Sequence, residues 1–302
     1  MTGTRRPASA AAGRRRVAAA LLLLGAAAYT AWVLELVLTT GLDPVRAYVS
    51  ELAAADQPLG GLFRATDLAA GLLVLAGALT APTTTAVTGP ATTAVTGPAT
   101  TAVTGPATAV TPPATARPAR AADRAGRAGR IALAVFGAAT AVDSRLPLSC
   151  APTSDPVCAA RETAGLVPAT HTAHAVSSTC AMLGALAALV LLTLAARRHD
   201  RRSPLARYGP PLVLAELAAT CWTLASVAAF SAGRGTWALG AGQRLQVLLV
   251  ALYLVLLALR VARPDRAART EPVTEAKART EPVTEAKART EPVTEVKEIP
   301  HR

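Results

Sequence analysis

Read for hydrophobic and polar positions, the chain divides into long apolar runs separated by short stretches crowded with charge. The runs are Val17 to Thr40, Leu62 to Ala81, Ile131 to Leu148, Thr170 to Ala196, Pro211 to Ala232 and Gly240 to Ala262. Their length is close to the roughly 20 residues that a helix needs to cross the hydrocarbon core of a bilayer. No run alternates polar with apolar residues, so transmembrane strands are not expected. Helical periodicity is uninformative, because a helix facing lipid is apolar all round. The pattern predicts an all-α fold, a polytopic membrane bundle of six transmembrane helices. The first run follows "RRPASAAAGRRR", the layout of a signal peptide, and "AAAYTA" has the form of a cleavage site. However, the run continues through "WVLELVLTT", which is too long for a signal core, and it is read as the first pass.

Arginine placement sets the orientation. One set of flanks holds Arg5, Arg6, Arg14, Arg15 and Arg16, then Arg117, Arg120, Arg124, Arg127 and Arg130, then Arg197, Arg198, Arg201, Arg202 and Arg207, and finally Arg260, Arg263 and Arg266. The alternate segments carry only Arg46 with Arg64, Arg145 with Arg161, and Arg234 with Arg244. The alternation predicts six passes in an inner (plasma) membrane, with both termini cytoplasmic.

Charge adds one exclusion. The chain has 31 basic and 19 acidic residues, a formal net charge of +12, yet only 3% of its residues are aromatic. The arginines flank apolar runs rather than lining one soluble face, so nucleic acid is not an expected partner and membrane lipid is. Heavy use of Arg, Ala and Thr is in keeping with a GC-rich bacterial genome. Two repeats interrupt the pattern: "TTAVTGPA" units after the second run, and "ARTEPVTEAK" units in the tail. Both lack the apolar content to offset the entropy of ordering them, and proline recurs too often for a long helix. The expected organisation is a basic N-terminus (1–16), passes one and two (17–81), a disordered linker (82–130), passes three to six (131–262) and a disordered charged tail (263–302).

Candidate chemistry gathers at the outer ends of the passes. Glu35 closes the first run, and the following loop holds Asp43, Arg46, Ser50 and Glu51. The second run opens with Arg64 and Asp67, and the third closes with Asp143 and Arg145. The fourth opens with His171 and His174, and the sixth with Gln243 and Arg244. Glu216, deeper in the fifth run, is the exception. Each group taken alone reads as an interfacial residue, and Arg64 with Asp67 as a surface ion pair. Together, Asp67, Asp143 and the two histidines fall at one depth, and lipid-facing charge is disfavoured, so they are expected to face inward. Two imidazoles and two carboxylates suit a divalent metal such as zinc. Without a metal, a carboxylate beside a histidine suits acid–base chemistry.

Cys150 and Cys158 lie in one short outer loop, where a disulfide is expected. Cys180 and Cys221 lie within passes and read as packed thiols. The order Cys150, Cys158, His171, His174 resembles a zinc finger, but its spacings fall outside the finger pattern.

The stretches "DPVRAYVSELAAADQPLGGLFRATDLAAG" and "VDSRLPLSCAP…PATHTAHAVSS" resemble the domain-of-unknown-function 998 family. Those are bacterial and archaeal integral membrane proteins of about six passes. The matching marks are the Tyr48–Ser50–Glu51 loop, Asp67, Asp143 and His174, and the resemblance implies a fold and a location rather than an activity. A fainter similarity is to alkaline ceramidases and the progestin and adiponectin receptor group, which join Ser, Asp and His around zinc. It implies hydrolysis of a lipid or headgroup, with Asp67, Asp143, His171 and His174 as ligands or acid–base groups. Ser50, Glu51, Arg64 and Arg244 would stand on the substrate side. The alternatives are a transporter or channel using Glu216, and a non-catalytic scaffold or sensor subunit.

Overall fold

The computed structural model describes residues 6–82 and 116–263, with side chains from Ser9 to Pro82 and from Asp123 to Arg263. The Thr/Pro/Gly repeat and the charged repeat tail lie outside the described residues. Among those described, the helices are α1 (Arg6–Tyr29), α2 (Gly60–Thr80), α3 (Ala116–Asp143), the short α4 (Pro156–Thr163), α5 (Ala169–His199), α6 (Pro204–Ser231) and α7 (Leu239–Ala262), and no strand occurs. Two 3-10 turns, Ala31–Leu36 and Val49–Ala53, shape the loop between α1 and α2.

The long helices pack neighbour to neighbour in chain order, α1 on α2, α2 on α3, α3 on α5, α5 on α6 and α6 on α7, and α1 against α7 closes the ring. The core between them is built from Leu22, Val74, Phe136, Leu189, Leu205 and Leu254, with Tyr29 edge-on to Phe136. Leu24, Leu72, Leu79, Leu183, Leu214 and Leu252 stand exposed on the outside, as side chains facing lipid do. Glycines allow the closest approaches. A Cβ at Gly137 would lie 2.6 Å from the backbone nitrogen of Leu75, and one at Gly184 would lie 2.8 Å from that of Phe136. Only glycine lets α2, α3 and α5 touch backbone to backbone there.

Five helical segments are long and apolar enough to cross a membrane, Ser9–Leu36, Gly60–Thr80, Ala169–His199, Pro204–Ser231 and Leu239–Ala262. The third expected pass differs from the expectation. Its apolar run ends as helix at Asp143, and the helix extends backwards through "ARPARAADRAGRAGR" to Ala116, inside the segment expected to be linker. Alanine and arginine are both strong helix formers, which accounts for that extension.

The basic flanks collect at one end of the bundle. Arg15 donates to the Arg263 carbonyl at 3.1 Å, Arg130 to the Ala81 carbonyl at 3.1 Å, and His199 lies 3.3 Å from Asp123. The loops before α2, around α4 and before α7 form the opposite end.

Candidate functional site

At that opposite end, the last turn of α3 meets the first turns of α5. Asp143 ends α3, and His174, Ser177 and Ser178 rise from α5 one turn apart, on adjoining positions of the face towards it. His174 Nδ1 lies 3.1 Å from Asp143 Oδ1 and 3.0 Å from the Leu146 carbonyl. Both partners only accept, so the proton sits on Nδ1 and Nε2 is left with its lone pair. Ser178 Oγ donates to Asp143 Oδ2 at 3.0 Å and lies 3.2 Å from that Nε2. Ser177 donates to Asp143 Oδ1 as well. His174 and Ser177 are buried, and Asp143 and Ser178 are half-buried. The result is a short relay, Asp143 to His174 to Ser178, with an open side. An imidazole held in this tautomer by a carboxylate is able to take a hydroxyl proton.

Asp67 on α2 lies within electrostatic range of both Asp143 and His174. His171 does not join the cluster. The Ser149 amide donates to its Nδ1 at 3.1 Å, the Ser149 hydroxyl lies 2.9 Å from the same atom, and Nε2 is 3.7 Å from Glu162. Its Nδ1 is an acceptor, so its proton is on Nε2, the opposite tautomer from His174. It anchors the loop carrying Cys150 and Cys158, which are joined in a disulfide with Cα atoms 6.0 Å apart. The expected four-ligand metal set is therefore not assembled. Among the described residues no three His, Cys, Asp or Glu side chains are placed to hold a metal ion. His171 is turned to Ser149, away from Asp143.

The residues expected on the substrate side are engaged inward. Glu51 is fully buried and takes the Thr153 amide at 2.8 Å and the Thr153 hydroxyl, tying the loop between α1 and α2 to the disulfide loop. Burial pushes its carboxyl up to about 7, against the opposing effect of the Thr153 bonds. Arg64 does not pair with Asp67; it donates to the Ala53 carbonyl at 2.7 Å and the Ala54 carbonyl at 3.2 Å. Arg244 grips Glu35 through two bonds, of 2.5 Å and 2.6 Å. Ser50 is half-buried in the 3-10 turn.

Ser177 and Ser178 are the site residues that the sequence reading passed over. The signal was present in "HAVSS": Ser178 follows His174 by four positions, which on a helix puts hydroxyl and imidazole on one face. Beside Ser177, an apolar groove of about 530 Å³ runs between α3 and α5, lined by Val135, Ala138, Val142, Leu146, Val176 and Cys180 among others.

A helical bundle with apolar outer faces, a basic end and a polar, disulfide-tied opposite end is a multi-pass integral membrane protein. Its helices carry the relay beneath that tied end. The chain belongs to the family described as protein of unknown function (DUF998), whose model matches residues 17–120 and 96–260. No curated protein and no solved structure matches it.

Proposed function

We propose that the chain is a six-pass protein of the inner membrane, both termini cytoplasmic, whose Asp143–His174–Ser178 relay hydrolyses a lipid or headgroup ester without a metal. The observation that carries this reading is the 3.2 Å approach of Ser178 Oγ to His174 Nε2, on an imidazole whose Nδ1 faces Asp143 and the Leu146 carbonyl. In the proposed step, Ser178 Oγ attacks the ester as its proton passes to His174 Nε2. That proton then goes to the leaving alcohol, and water releases the acyl group from Ser178 by the reverse relay. Asp143 holds the imidazole and stabilises its charged form. The groove beside Ser177, apolar and open along the helices, suits an acyl chain. Exposed Arg145, two positions beyond Asp143, suits an anionic headgroup. α3, at 28 residues and about 42 Å long, is taken as the remaining pass, third in chain order, with Arg124, Arg127 and Arg130 reaching the headgroup region along their own stems.

The experiment is covalent labelling of purified protein in nanodiscs with a fluorophosphonate, read by mass spectrometry. The expected adduct is on Ser178, lost in Ser178→Ala and in His174→Ala, retained in Ser177→Ala and indifferent to a chelator. Absence of any adduct on Ser178 of the folded wild-type protein refutes the reading. An adduct abolished by chelation would return the case to a metal.

A further inference from the structure

A second polar feature lies outside the relay. Glu216 sits mid-way along α6, 1% exposed, with both carboxyl oxygens lacking a hydrogen-bond partner. It is 12 positions from the start of the helix, about 18 Å along it, and so at membrane depth. An ionised carboxylate there, without a counter-charge, is strongly disfavoured at membrane depth. Among the described residues, the neighbour acting on its carboxyl is the Gln246 amide of α7. Tyr29 of α1 lies within electrostatic range. Among the described residues no three carboxyl, His or Cys groups converge on it as a metal site would require.

The same face of α6 carries a line of hydroxyls above Glu216. Thr220, Thr223 and Ser226 follow it at intervals of four, three and three, all on the face towards α7. Thr220 Oγ1 takes Gln246 Nε2 at 2.8 Å, Thr223 Oγ1 is buried without a partner, and Ser226 donates to the Trp237 carbonyl at 3.2 Å. Trp237 is exposed in the turn before α7. Gly242 makes room beside this line, since a Cβ there would lie 3.2 Å from Thr223 Oγ1. The seam therefore runs from the outer turn to the buried carboxyl, through groups that accept and donate.

We propose that Glu216 is an intramembrane proton-binding site, reached from the outer end along the Ser226–Thr223–Thr220 seam between α6 and α7. It holds a proton in the resting fold and exchanges it with the outer aqueous phase. The site is independent of the Ser178 relay and stands if that relay proves inert.

The test is infrared spectroscopy of the full chain in nanodiscs at neutral pH. A protonated-carboxyl carbonyl band is expected in the wild type, shifted in D2O and lost in Glu216→Gln, with the D2O shift developing more slowly in Thr223→Val. Absence of the band in the wild type, or its persistence unchanged in Glu216→Gln, overturns the proposal. Should Glu216→Gln fail to fold, dicyclohexylcarbodiimide on the wild type decides. This reagent attacks protonated carboxyls in apolar surroundings, so an adduct on Glu216 supports the site and an unmodified Glu216 overturns it.

Discussion

Replacing Glu35 by alanine tests how the loop end of the bundle is held. Arg244 and Glu35 face each other with side chains 8% and 3% exposed, and the pair is bidentate. The remaining guanidinium nitrogen donates to the Ala47 carbonyl at 2.9 Å and the Gly240 carbonyl at 3.1 Å, and the plane lies 5.8 Å from the Trp32 ring. Glu35→Ala strands a buried cation on two carbonyls and an aromatic face. Breaking one side of a buried pair typically costs about 3–5 kcal/mol, chiefly because the surviving charge remains desolvated. Removing both charges leaves neither stranded, so Glu35→Ala combined with Arg244→Leu should lie closer to wild type than Glu35→Ala alone. A double-mutant cycle should thus give a coupling of about 1–3 kcal/mol or more. The assay is denaturant titration in mixed micelles followed by tryptophan fluorescence, to which Trp32 reports from beside the pair. A loss below about 1 kcal/mol for Glu35→Ala, the range of solvated surface pairs, or strict additivity in the cycle, would refute the claim that this pair is buried and joins the 3-10 turn after α1 to α7.

Other outcomes follow from the same geometry. Glu51 binds its proton more tightly folded than unfolded, so between about pH 4.5 and about pH 7 the unfolded chain deprotonates first. Stability should therefore fall by up to about 3 kcal/mol across that window as pH rises, and Glu51→Gln should flatten the slope in unfolding measured at a series of pH values. Cys158→Ser opens a bridge with a sequence separation of 8 and should lower stability by about 2–3 kcal/mol; a reductant should do the same to the wild type and nothing to the variant. Gly184→Val drives a side chain into the α3 backbone and should lower stability by about 1–3 kcal/mol. If the relay works as proposed, that variant should also lose labelling of Ser178, although it touches none of the three residues.

The apolar runs disclosed α2, α5 and α7 to within a few residues, because a segment solvated by lipid must be apolar on every face over a fixed length. α3 was harder to read. Its apolar part is short and its first half is charged, so hydropathy hid a helix that alanine and arginine propensity builds. Charge counting correctly separated the arginine-rich end from the loop end, but a count carries no direction, and direction decided the roles of the polar residues. Arg64, Arg244 and Glu51 look alike in sequence to groups awaiting a ligand. In the fold each is consumed by a partner 10, 209 or 102 positions away. The two histidines share one side of α5, yet the neighbours that fix their tautomers, Ser149 and Leu146, come from a loop whose path no local pattern specifies.

Why the relay forms at α3 and α5, rather than between other neighbours, follows from Gly184 beneath it. Asp143 lies seven positions beyond Phe136, the α3 residue whose backbone a Cβ at Gly184 would strike, and Ser178 lies six positions before Gly184 along the oppositely directed α5. The two steps are nearly equal, so both residues arrive at about one depth, roughly 9–10 Å above the backbone contact. Aspartate and serine are short side chains. They meet at 3.0 Å only because the helix axes have been brought together just below them. Longer residues at the contact would spread the helices, leaving Asp143 to water and His174 without the acceptor that sets its tautomer. The small-residue seam that stabilises packing in lipid is thus also what places the imidazole, and the chemistry proposed for Ser178 depends on a contact two turns away from it.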